Sequence, residues 1–158
     1  MDLRDDGDVV KGLGFVALHS AYLEEAVEDC VATFVEAGAI APDKIFSVPT
    51  SKQVECLKQE VLQRGQLPTE LVRFPDLLDH VLDLLKLRHE LIHGRIYGGL
   101  GPNEGELRRG RRHNVTRKIR SEELYGLANR INKACSSLRG ASMFSLQRFL
   151  HRNLNFSG

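Results

Sequence analysis

Leu84-Leu85-Lys86-Leu87-Arg88-His89-Glu90-Leu91-Ile92-His93-Gly94-Arg95-Ile96-Tyr97-Gly98-Gly99 is the stretch whose reading decides the fold and frames the function. Upstream of it and within it, Leu71, Phe74, Leu78, Val81, Leu82, Leu85 and Ile92 recur at helical intervals and make a broad apolar face. That face predicts a central helix from about Glu70 to Gly94, with Thr69 able to cap it and Pro75 starting or kinking it. Gly94, Gly98, Gly99 and Gly101-Pro102 end it. Four chemically capable residues, Arg88, His89, Glu90 and His93, therefore fall on the last turns of an otherwise apolar helix.

Working outward, Val9, Leu13, Val16, Ser20, Leu23, Val27, Cys30 and Phe34 alternate four and three apart, which predicts a long first helix ended by Gly38 and Pro42. His19 lies one residue off that seam and reads as a structural histidine. Thr50 with Gln53 has the form of a capping box for a short helix reaching about Gln63. After Ser121-Glu122-Glu123, Leu124, Ala128, Ile131, Cys135, Leu138, Ser142, Ser145 and Phe149 again alternate four and three, with Gly140 able to bend or split the helix. Strand patterns are nearly absent. The expected fold class is all-α, an up-and-down bundle of four to five helices over residues 9–153. Residues 1–8 read as a flexible N-terminus and 154–158 as a tail.

Between Arg108 and Arg120 the cations Arg108, Arg109, Arg111, Arg112, Arg117, Lys118 and Arg120 follow one another with no acid among them, although the chain's net charge is only +1. Residues 100–120 read as a basic loop or a hairpin. With Arg95 they are candidate contacts for RNA phosphates, and Tyr97 is the one nearby aromatic for stacking. A solvated loop, or a dock for an acidic protein partner, accounts for the same charge.

The remaining composition narrows the field. No apolar run approaches the roughly 20 residues that span a bilayer. The acidic, polar start from Met1 to Asp8 is unlike a secretory signal, so a cytoplasmic protein is expected. Cys30, Cys56 and Cys135 are odd in number and far apart, with no C-x-x-C pair, which argues against a disulfide framework or a thiolate zinc site.

Two chemistries fit the central motif. A histidine exchanges a proton near neutral pH, and an arginine offers a fixed fork of donors to a phosphate. Arg88 and His93 are five positions apart, about 140° round a helix, within reach of one another where a helix ends. One such pair is a minimal apparatus for phosphoryl transfer without metal, because a ribose 2′-hydroxyl supplies the nucleophile. Alternatively, His89-Glu90-Leu91-Ile92-His93 satisfies H-E-x-x-H, in which two histidines bind zinc and the glutamate activates water. The extended form of that motif fails because position 99 is Gly, and nothing singles out Glu104, Glu106, Glu122 or Glu123 as a third ligand.

The run Arg88-His89-Glu90-Leu91-Ile92-His93-Gly94, at the end of an apolar helix and behind a first helix such as Phe15–Asp29, resembles the HEPN superfamily. The resemblance covers roughly residues 9–152, and its specific part is the short motif. It implies a helical homodimer joined through the motif helix. It also implies metal-independent cleavage of single-stranded RNA, with no cofactor, to 2′,3′-cyclic phosphate and 5′-hydroxyl ends. Arg88 would hold the scissile phosphate, His93 would act as general acid or base, and His89 would orient or polarise. Such proteins work in toxin–antitoxin or phage-defence systems, which makes an antitoxin a candidate partner. Some relatives keep the fold and only bind RNA or protein.

Overall fold

The alternating four-three seam is long enough to build one uninterrupted helix, and it does: α1 runs Val9–Glu36. It stops where the seam predicts. Gly38 takes a left-handed φ of 69°, and the amides of Gly38 and Ala39 close on the carbonyls of Val35 and Phe34. In this computed structural model, which describes residues 2–98, 103–109 and 115–154, there follow α2 (Pro42–Ile45), α3 (Thr50–Gln63), a 3-10 turn (Thr69–Leu71) and α4 (Phe74–Ile92). Strands β1 (Arg95–Gly98), β2 (Glu104–Arg109) and β3 (Val115–Arg120) come next. Then come α5 (Ser121–Gly140), a π-helical segment (Ala141–Leu146) and α6 (Gln147–Leu154). The chain is mostly helical, as the periodicity predicts.

The sheet is the departure from an all-helical expectation. It is antiparallel in the order β1-β2-β3, with Leu107 opposite Ile96 and Arg117, and Gly105 opposite Ile119. Its signal in the sequence is a short period-two alternation. Gly105 and Leu107 are buried between partly exposed Glu104, Glu106 and Arg108, and Ile119 is buried between exposed neighbours. The density of arginine masks that pattern. Among its described residues, the segment read as a basic loop or a hairpin is mainly the two paired strands β2 and β3.

The chain forms two compact units where the periodicity reads as one domain. The first is Met1–Tyr22 with Asp83–Lys133, and the second is Leu23–Leu82 with Ala134–Gly158. The first unit buries Val16, Leu84, Leu91, Leu107, Ile119, Leu124 and Ile131. The second buries Phe34, Leu57, Leu71, Leu78, Leu138 and Leu146. Cys30 and Cys135 belong to that second core, and burial pushes the Cys30 thiol up to about 12, so it behaves as a small apolar residue. Two local expectations change. Gln53 donates its side-chain amide to the Val48 carbonyl, and α3 has no side-chain cap at its first turn. Past Gly140, burial passes from the predicted Ser145 to Leu146, because the π-helical segment adds a residue to the turn.

The N-terminal segment, expected to be loose, is tied to one face of α5. Ser121, Tyr125, Asn129 and Lys133 stand four apart and therefore in one row. Ser121 and Tyr125 donate their hydroxyls to Asp5 (3.1 Å) and Asp6 (2.5 Å). Asn129 exchanges two hydrogen bonds with the Leu3 backbone, and Lys133 meets Asp2 at 3.3 Å. Lys11 also pairs with Asp6. These partners on α5 lie over a hundred residues away in sequence, which is why local composition does not show them.

Candidate functional site

The last turns of α4 place the motif. Apolar Leu84, Leu85 and Leu91 are buried, whereas Ile92 is 37% exposed. The polar residues between them are thereby turned away from the core. His89 and His93 are four apart and share a face, and both are exposed. Their ring centroids are 4.3 Å apart with planes inclined by 50°. His93 lies one residue beyond the helix, yet its amide still donates to the His89 carbonyl at 3.1 Å, so the ring position is set by helical geometry. Arg88 is half-buried, with its Nε removed from solvent, so its stem is embedded beside the motif. Glu90 is also half-buried.

Gly94 has a packing reason. A Cβ at that position would lie 2.3 Å from the Leu107 Cδ1 and 2.8 Å from the Glu90 carbonyl oxygen. Leu107 of β2 therefore presses directly on the turn that ends α4, immediately after His93. The glycine that follows the motif is required by this close approach rather than by an unusual φ.

The basic residues are distributed differently from their reading in the sequence. Arg117 makes a two-pronged pair with Glu123 (2.9 and 2.7 Å), which raises its pKa, with a smaller contribution from the nearby charge of Glu90. Arg108 donates to Glu106 at 3.0 Å, and Arg120 lies 3.7 Å from Glu104. The acids come from β2 and from the first turn of α5, outside the uninterrupted cationic run. Lys118 is exposed and has no ion-pair partner among the described residues. Arg111 and Arg112 lie outside the described residues, as do the side chains of Arg95, Arg109 and Tyr97.

Thus the structure brings His89 and His93 into ring contact, places Arg88 one residue before His89 on the same helix, and sets Arg108, Arg117 and Arg120 of the basic stretch in ion pairs. Sequence reasoning missed the neutralising role of Glu104, Glu106 and Glu123. Cross-strand register would have revealed it for Glu104, which faces Arg120 directly. Among the described residues no group of three or more His, Cys, Asp or Glu side chains converges to hold a metal ion. None of the helices among them is long and apolar enough to cross a membrane. Comparisons of the chain with protein-family models, with curated proteins and with solved structures find no match.

Proposed function

We propose that the chain is a metal-independent endoribonuclease that cleaves single-stranded RNA by attack of a ribose 2′-hydroxyl on the adjacent phosphorus. The observation that carries the reading is the exposed His89–His93 pair, 4.3 Å apart at the end of an apolar helix, with Arg88 beside it. His93 transfers the proton, Arg88 neutralises charge on the phosphate, and His89 orients its neighbour. The products are a 2′,3′-cyclic phosphate and a 5′-hydroxyl.

In-line displacement sets the attacking and leaving oxygens on opposite sides of phosphorus. Two rings in contact leave no space for a phosphate between them, so one motif serves one side of the reaction. The other side falls to a second copy, and the proposal therefore includes a homodimer joined through α4. Its setting is the cytoplasm, in a toxin–antitoxin or phage-defence system.

The test is cleavage of a labelled single-stranded RNA in excess EDTA, wild type beside His93→Ala. The expected result is cleavage by the wild type alone, leaving cyclic-phosphate ends. Cleavage by both, or activity that EDTA removes and zinc restores, overturns the reading.

A further inference from the structure

A cleft of about 660 Å³ opens at the junction of β3 and α5, lined by Lys118, Arg120, Glu122, Glu123, Gly126 and Arg130. All six belong to the first compact unit. Ligand pockets span ~300–1,000 Å³, so the space suits a nucleotide-sized group. Local geometry builds it. Lys118 and Arg120 are two apart on a strand and share a face. Glu122, Gly126 and Arg130 are four apart on α5 and share another. The strand runs directly into the helix at Ser121, which brings the two rows together. Gly126 is exposed, and a Cβ there would meet nothing within 4 Å, so the wall it forms is low.

The charges in the cleft select an anion. Lys118 and Arg130 are exposed and have no partner among the described residues. Arg120 is 69% exposed and holds Glu104 only at 3.7 Å. Glu123 is occupied by the two-pronged bond from Arg117. Among the described lining residues Glu122 is then the one acid without an ion pair, facing three cations, and Glu106, opposite Lys118 across the ladder, is bonded to Arg108. A guanidinium fork and a mobile ammonium together bind phosphate oxygens without reading bases.

We propose that this cleft is a phosphodiester-binding exosite, gripping the backbone of an RNA whose scissile phosphate lies at the His89–His93 pair; the RNA identity of the ligand rests on the ribonuclease reading. Lys118 and Arg120 stand on β3, an outer strand of the sheet, and the middle strand of that sheet packs Leu107 against Gly94, the residue after His93, so cleft and motif are built on one small sheet.

The experiment uses the full chain carrying His93→Ala, so that RNA is not consumed. Binding of a labelled single-stranded oligoribonucleotide is followed by anisotropy across a salt series, in that background and with Lys118→Ala/Arg130→Ala or Glu122→Ala added. The double variant is expected to bind about tenfold more weakly. Its slope of log affinity against log salt should be shallower by about 1.4, from two contacts at about 0.7 each. Glu122→Ala is expected to bind a few-fold more tightly. Thermal melts check that the added substitutions leave folding unchanged. Unaltered affinity and slope in the double variant overturn the exosite, as does an absence of RNA binding by the parent. An acidic polypeptide that binds the parent more tightly than RNA and is lost in the double variant also overturns it, in favour of a protein partner. Cleavage by the wild type is scored separately. Binding lost in the double variant without wild-type cleavage leaves the exosite standing and removes the ribonuclease; the reverse pattern does the opposite.

Discussion

The end of α4 and the sheet that follows it both carry many cationic or protonatable groups, and they deploy them in opposite ways. On α4, His89 and His93 project into solvent and touch each other. On the sheet, Arg108, Arg117 and Arg120 face Glu106, Glu123 and Glu104. The two histidines stand open to a ligand, whereas among the described cations of the sheet Arg108 and Arg117 are tied into close ion pairs, Arg120 is held more loosely and Lys118 is not paired. Charge density in a sequence therefore measures the supply of charged groups. Availability depends on register, which decides who stands opposite whom.

The largest effect that would break this contrast is catalytic. His93→Ala is expected to lower RNA cleavage by about 10²- to 10⁴-fold, the usual span for a general acid or base. Arg108→Ala, which removes a cation already paired with Glu106, should leave the rate within a few-fold of wild type. Equal losses in both, measured on one RNA under one salt condition, would erase the distinction.

Next in size is the packing that supports the motif. Gly94→Ala forces a methyl group against Leu107 and is expected to destabilise the fold by about 1–3 kcal/mol in urea unfolding. Adding Leu107→Ala removes the side-chain clash and should bring the penalty of the Gly94 substitution down. An unchanged penalty in the Leu107→Ala background would show that the approach to the Glu90 carbonyl dominates.

A smaller effect sharpens the comparison from the other side. Glu123→Gln releases Arg117 and also removes an acid from the cleft. RNA binding should tighten a few-fold, and the salt slope should steepen by about 0.7 for one added phosphate contact. No change, or weaker binding, would mean that Arg117 serves the sheet alone.

The smallest effect concerns the N-terminal tether. The hydrogen bonds from Lys11 and Tyr125 hold the Asp6 carboxyl down to about 2, so its contribution is present above the ordinary carboxylate range and lost as pH falls through about 2. Burial, then the bond to Asp6, pushes the Tyr125 phenol up to about 12. Its contribution is present below the ordinary phenol range and lost as pH rises through about 12. From roughly pH 5 to 9 the tether is thus insensitive to pH. Protection of the Leu3 amide against hydrogen exchange should be constant across that window, and a sigmoid within it would contradict this account.

How much of this was legible beforehand follows from the range of each interaction. The seams of α1 and α5 and the His89–His93 pair depend on neighbours three or four residues away, so spacing alone exposes them. The fate of Arg117 depends on Glu123 across a strand-to-helix junction, and that of Asp6 on Tyr125, more than a hundred residues away. The burial of Leu107 on Gly94 needs the sheet to exist first. Arginine at alternate and adjacent positions hid that sheet, because long polar side chains obscure the period of two.

The π-helical segment Ala141–Leu146 works as a phase keeper for the final helix. Each residue of an α-helix advances the azimuth by about 100°, so a single surplus residue in a regular helix would turn another side of α6 to the core. As it stands, Phe149 and Leu150 are 5% and 1% exposed, while Met143 and Phe144 bulge into solvent. The wider turn absorbs the surplus residue, so Leu146, Phe149 and Leu150 stay in phase with Leu138 and Ser142. Deleting Met143 would restore an ordinary four-three seam with the same side chains inside, so this segment is where the C-terminal helix tolerates a change of one residue in length.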